Sequence, residues 1–392
     1  MRSRPSVVTL ACLGMATFGI VLTTLGASLP NVMVDFGIDK AQGGALLSLL
    51  TFGVLAGSLV FGPIVDSRGY KPLLVFAFAA IIIGLEATAF APSITVLRAS
   101  VLVIGFSGGL VNGALNAVTA DVSGEQRAAT LTFVGAFFGV GAAGVPLMLF
   151  ALSGVASHAS ILASIAPLIV VPLILTVAAT FPPSKQPHGL PLSDVRQLAS
   201  ERPLLLMGLI LFIQSGVEST VGGWTTTFFA EELGVGADHA ALYLALFWFG
   251  LLLGRLTLGR VLRRVPAVRV VLSSITLALV SVLLLIASRN VTMAAIAVFL
   301  LGCGFSPTFP VIFGFAGDRY ARTSGTAIGL IMGIALFGGI LLPFAAGVIG
   351  DLRGMRASLL VVPACLLLQA ALLPVLSRAV RPDSSQLTAP VS

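Results

Sequence analysis

The sequence predicts an all-α, polytopic membrane protein of twelve transmembrane helices in two pseudo-symmetric six-helix bundles. Three observations predict it. Of 392 residues, 57% are hydrophobic and only 9% are charged, where a soluble chain carries about 25% charged residues. The apolar residues gather into runs of about 20 or more, enough to span roughly 30 Å of hydrocarbon as helix. One long polar interruption, residues 182–202, divides those runs six and six. In lipid the backbone must pair its polar groups internally, which leaves helices or closed barrels. These runs are too long and too continuous for barrel strands.

The first span covers 7–33 and follows a short head carrying Arg2 and Arg4. That run is too long for a signal-peptide core, so no cleavable signal is expected. The second span covers 41–65. The third and fourth, 73–91 and 94–119, are separated only by a tight turn at Pro92-Ser93. The fifth and sixth cover 128–152 and 160–181. Then comes PPSKQPHGLPLSDVRQLASER, rich in proline, serine and charge, which reads as a linker. Six further spans follow at 204–230, 240–262, 268–287, 291–315, 324–349 and 357–376. Pro307 and Pro310 interrupt the hydrogen-bond ladder of the tenth and predict a bend. The expected domains are a bundle over 1–181, a cytoplasmic linker over 182–203, a second bundle over 204–380 and a disordered cytoplasmic tail over 381–392.

The net charge is +7 and the isoelectric point about 10.0. In a soluble protein such a balance suggests nucleic acid. Here the basic residues are spread over short loops, and topology accounts for them. One set of connections carries Arg68, Lys71, Arg127, Lys185, Arg196, Arg202, Arg260, Arg263, Arg264, Arg319 and Arg322. The tails add Arg2, Arg4, Arg378 and Arg381. The opposite set carries Lys40, Arg98, Arg289, Arg353 and Arg356. That asymmetry predicts both termini in the cytoplasm of a cell-membrane protein, the inner membrane if the source is bacterial. No nucleic-acid partner is expected, and a monomer in the lipid bilayer is. Cys12, Cys303 and Cys365 fall in apolar runs without metal spacing. No metal, no cofactor and no enzymatic nucleophile–base set is predicted. His158, His188 and His239 lie in or near loops, so no histidine is expected to carry protons within the membrane.

A few polar residues stand inside the spans. Glu218 lies near the middle of the seventh, with Gln214 one helical turn before it. An acid at bilayer depth costs roughly 2.5–3.5 kcal/mol and usually faces a cavity or a partner. Its bland reading is a structural acid held between helices. Asn112 and Asn116 are one turn apart on the fourth span, where each amide can donate to and accept from a solute hydroxyl. The competing reading is a polar clamp between helices. Trp224 and Trp248 could stack on a sugar ring; an interfacial anchor or a core residue is the alternative. Glu86 and Arg98, across the tight turn, are expected to form a structural ion pair. Gly105, Gly109 and Gly113 form a smooth stripe for close helix packing.

The halves echo each other weakly. After the second span stand Gly62, Asp66, Arg68, Gly69 and Lys71; after the eighth stand Gly250, Gly254, Arg255, Gly259 and Arg260. Internal repeats are a construction of secondary transporters. The Gly62 to Lys71 loop resembles the signature of the major facilitator superfamily, and the resemblance implies a gate built from Asp66, Arg68, Lys71 and Arg255. Three regions are similar to the fucose, galactose and glucose–proton symporter branch. They are Gly105 to Asn116, then Gly216 and Glu218 with Trp224, then Ser306, Pro307, Thr308, Pro310 and Phe313. The branch implies alternating-access transport of a small sugar-like solute, with a proton as coupling ion. It implies solute contacts from Asn112, Asn116, Gln214, Trp224 and Thr308. Two acids of that branch are replaced here by Gly26 and Asn112, which leaves Glu218 as the best remaining proton carrier. Sodium coupling and uncoupled diffusion stay open, as does an efflux antiporter for amphipathic drugs, which the 25 phenylalanines keep alive.

Overall fold

Among the described residues, twelve helical spans are long and apolar enough to cross a membrane. The structure is a computed structural model and describes residues 7–123, 127–182, 192–320 and 323–380. Lys185, His188, Arg322 and both chain ends, with the predicted tail, lie outside the described residues. In chain order the helices are α1 Val7–Phe36, α2 Lys40–Arg68, α3 Tyr70–Ala89, α4 Ile94–Val122, α5 Arg127–Leu152, α6 His158–Ala178 and α7 Leu192–Ala199. There follow α8 Arg202–Leu233, α9 Ala237–Leu262, α10 Ala267–Ala287, α11 Val291–Phe305, α12 Thr308–Arg319, α13 Ser324–Arg353, α14 Met355–Ser358 and α15 Val361–Val380.

Local chemistry sets the helix ends. Asp39 accepts from the Gln42 amide at the start of α2, and Ser93 accepts from the Val96 amide at the start of α4. Each satisfies an amide the helix cannot pair itself. Ser93 thereby makes the third and fourth spans two helices, as the tight turn predicts. Gly69 joins α2 to α3 with φ +79°, in the region where a side chain is strained. The glycine of the basic loop therefore has a backbone reason to be there.

Two elements depart from expectation. The tenth span is two helices: α11 stops at Phe305 and α12 starts at Thr308, with Ser306-Pro307 between. The prolines were expected to bend this helix; Pro307, with no N–H to donate, breaks it. The twelfth span is likewise divided, into α14 and α15, and the linker contains α7, which buries Leu198. Tyr320, just past α12, donates its hydroxyl to Glu201 Oε2 at 3.0 Å, beside the start of α8. Burial and this bond push the phenol up to about 12, so it keeps its proton at any physiological pH. One expected pair is not made. Among the described residues Glu86 and Arg98 form no ion pair, and Arg98 is exposed.

The packing repeats between the halves. In the first half α1 packs on α5, α2 on α4, and α3 on α4 and α6. In the second α8 packs on α13, α9 on α11, and α10 on α11 and α15. The halves meet where α2 lies on α13, α5 on α9 and α1 on α8. The glycine stripe of α4 does what its spacing predicts. A side chain at Gly105 or Gly109 would strike the carbonyls of Leu50 and Val54 on α2.

Candidate functional site

Among the described residues, the hydrogen bonds and the ion pair that join the two bundles gather toward the face opposite the linker. At the face opposite the linker, Asp351 accepts from the backbone amides of Lys40 at 2.9 Å and Ala41 at 2.6 Å. It caps the N-terminus of α2 from the other bundle, where a negative charge is favoured. Lys40 Nζ pairs with Glu231 at 3.2 Å. Deeper in, Ser48 donates to the Ile340 carbonyl and Thr226 to the Gly26 carbonyl, both at 2.5 Å. Deeper still, Thr51 lies by Gly339, Gly139 by Leu252 and Phe138 under Arg255. These bonds hold the bundles together toward the face opposite the linker.

Glu218 stands where that seam ends. Its Oε2 is buried with no hydrogen-bond partner. Gln214, one turn before, neighbours the carboxyl, as the spacing predicts. The charge acting on Glu218 comes from Arg255 of α9. No direct bond joins the two, and Arg255 Nε is itself buried and unpaired. The guanidinium lies over the Phe138 ring, its Cζ 5.8 Å from the ring centre. Phe138 in turn meets Phe18 at 5.6 Å and Trp248 edge-on at 5.6 Å. An aromatic wall from α1, α5 and α9 thus borders the Glu218–Arg255 pair. Arg255, expected with Asp66, Arg68 and Lys71 to form the gate, lies here over Phe138 and within the field of Glu218.

The other predicted residues fall into separate places. Asn116 Nδ2 donates to both the main-chain and the side-chain oxygen of Asn112, each at 2.9 Å. The Asn112 amide nitrogen and the Asn116 oxygen have no partner among the described residues. A side chain on Gly108, one turn before Asn112, would meet Val21 and Phe18, so this stretch of α4 packs against α1. Gln214 donates to the Phe305 carbonyl at 3.4 Å, at the break in the tenth span, and accepts from Gln369 at 3.2 Å. Gln369 of α15 was not foreseen; its partner lies 155 residues away and no local spacing announces it. Thr308, the first residue of α12, is buried with an unpaired hydroxyl. Trp224 is fully buried and donates to the Pro343 carbonyl at 3.0 Å, its ring against Gly43 and Gly347. It belongs to the closed seam. Asp66 is half-buried, while Arg68 and Lys71 are exposed on the linker face, Asp66 acting on Tyr70. Tyr70 bonds Asp121 at 2.8 Å. Gly26 also has a physical reason: a side chain there would lie 3.1 Å from Gly223 Cα and closer still to the Gly222 carbonyl. An acid at this position does not fit the closed seam.

Comparison with known proteins agrees with this architecture. The chain is 25% identical over 370 residues to the "Uncharacterized transporter y4wD" of Sinorhizobium fredii, covering 93% of this chain and 97% of that one. It is 26% identical over 259 residues to a "Glucose/galactose transporter" of Brucella abortus, covering 62% and 61%. Its fold matches the crystal structure of a D-xylose–proton symporter with a TM-score of 0.79 at 13% identity, over 94% of this chain and 96% of that one. Residues 11–236 and 207–391 both match the family model described as Major Facilitator Superfamily. With twelve helices able to span a membrane, a two-bundle fold and these matches over nearly its whole length, the chain belongs to the major facilitator superfamily and is a multi-pass membrane transporter, not an enzyme.

Proposed function

We propose that the protein is a secondary active transporter of a small polar solute, a monosaccharide or a close derivative, working by alternating access and coupled to protons through Glu218. The observation that carries this reading is the placement of Glu218 and Arg255. A half-buried acid and a half-buried base, each with one enclosed and unpaired polar atom, act on each other without a direct bond at the inner end of the seam that joins the bundles, and the cleft would open on its linker side. An acid so placed exchanges its proton with the cleft while the opposite face is closed. The amide pair of α4 supplies donors and acceptors for hydroxyl groups. The similarity to a glucose/galactose transporter supports the solute class. The distribution of basic residues supports a cytoplasmic linker face, and hence a cleft open to the cytoplasm.

Glu218→Gln keeps the shape of the protonated acid and removes its titration. The expected result is loss of uphill, proton-driven accumulation in vesicles, with counterflow exchange retained because it needs no net proton movement. Accumulation against a gradient with the parent's pH dependence would assign Glu218 a structural role. The aromatic wall of Phe18, Phe138 and Trp248 favours one second reading, an efflux antiporter for amphipathic compounds. That reading predicts drug-driven proton movement in vesicles and no exchange of sugars.

A further inference from the structure

We infer that the solute carries a carboxylate or similar oxyanion, received by Arg255 and Trp248, so that the cargo is a hydroxylated acid rather than a neutral sugar. The inference rests on the polar-solute, proton-coupled reading above and narrows its substrate class. It starts from two unpaired donors. Trp248 and Arg255 are seven residues apart on α9, two turns, and so share a face. Both flank the Phe138 ring, at 5.6 Å between ring centres for Trp248 and 5.8 Å for the Arg255 guanidinium carbon. Trp248 is only 5% exposed. Its Nε1 and the Arg255 Nε are both buried without an acceptor. Each of these groups can only donate, so what completes them must accept. Thr308 Oγ1, next to the break in the tenth span, is also buried and unpaired.

Charge balance then selects among acceptors. Sugar hydroxyls can accept from both donors but leave the guanidinium charge uncompensated. Glu218 is the charged group that acts on Arg255, and Arg255 the one that acts on Glu218; Gln214, beside the acid, is neutral. When Glu218 holds the coupling proton it is neutral, and Arg255, half-buried with its Nε enclosed, is left as an unpaired cation. An unpaired buried charge is strongly disfavoured. A solute carboxylate removes the imbalance and satisfies the donors with charge-assisted bonds. Proton and anion therefore enter together, and the moving site stays electrically balanced. On the other bundle, Asn112 and Asn116 remain free to hold hydroxyls, which makes a sugar acid a better fit than a simple carboxylate.

The test uses the purified full chain in nanodiscs, with thermal shift as the readout and glucuronate, gluconate, galacturonate, glucose, galactose and tetraphenylphosphonium as probes. A bound probe raises Tm as its concentration passes its Kd. The expected result is saturable stabilisation by at least one acid and a smaller or absent shift with the neutral sugars. Arg255→Gln should weaken the acid by about tenfold or more, as loss of a charged hydrogen-bond partner does. Trp248→Phe keeps the ring and removes the donor, and should weaken the same acid by several-fold. It serves as the check should Arg255→Gln fail to fold. Stabilisation by glucose or galactose alone, unchanged in Trp248→Phe, overturns the inference and leaves the polar-solute reading standing. No shift with any of the three acids also overturns it. A shift with tetraphenylphosphonium alone overturns both.

Discussion

Asn116 spends its amide nitrogen on Asn112, which leaves one donor group and one acceptor of the pair unpartnered. A solute hydroxyl can use both at once. Asn116→Ala should therefore weaken solute binding by roughly tenfold to a hundredfold, from the cost of about 1–3 kcal/mol for a lost buried partner. Insertion and folding should be little changed, because the bonds lost lie within one helix. Isothermal titration of the purified variant against the solute from the thermal-shift screen checks this; an unchanged Kd would make the pair a packing device of α4. Residues at this scale are legible in sequence when their partner is a helical turn away. Asn112 with Asn116 and Gln214 with Glu218 are such pairs, because a spacing of four puts them on one face. Arg255 was not legible in the same way. Its neighbours Glu218 and Phe138 lie on other helices, and their register depends on packing that no local pattern records. Gly26 became intelligible only once the Gly222 carbonyl stood opposite it.

Helices were the most legible scale, because the length of an apolar run fixes a span without reference to anything else. The break at Ser306-Pro307 was half legible: the prolines announce an interruption, and only the structure decides between a bend and two helices. The seam between α2 and α13 was not legible, since both helices show small residues on several faces. At that seam a side chain on Gly44 would lie 2.9 Å from the Pro343 carbonyl oxygen and 3.0 Å from Phe344 Cα, both backbone atoms that cannot swing away. Overpacking of this kind costs about 1–3 kcal/mol. It acts only in the state where the seam is closed, so it should shift the population toward the state open on the opposite face by roughly fivefold to a hundredfold. Gly44→Ala is the variant to make. Spin labels at Val34 and Leu352, both highly exposed on that face in different bundles, should report a longer distance as the major species. A distance distribution identical to the parent's would mean that α2 and α13 absorb the methyl group locally.

At the scale of the whole molecule, the two bundles rock as units only if the contacts at each face are separable from those at the other. The opposite face is held by the Asp351 cap on α2 and by Lys40–Glu231, 311 and 191 residues apart in sequence respectively. Their chain separation is why the sequence points to a gate at Asp66 and is silent about this one. Asp351 is exposed, and solvent screens its bonds, so a charge at a helix N-terminus is worth roughly 0.3–1 kcal/mol here. That corresponds to about twofold to fivefold in the balance of states. A small bias of this size suits a lock that must open in every cycle. The prediction combines access and state. In a background without Cys12, Cys303 and Cys365, Asn116→Cys should react with an impermeant thiol reagent in inside-out vesicles and react slowly in right-side-out ones. Adding Asp351→Ala should raise the right-side-out rate about twofold to fivefold and lower the inside-out rate. Adding Lys40→Ala as well should raise it further, since the Glu231 pair is then lost too. Equal labelling from both sides in the parent would remove the closed face. An unchanged rate in the Asp351 variant would place the barrier deeper, at Ser48 and Ile340, where the seam no longer depends on charge.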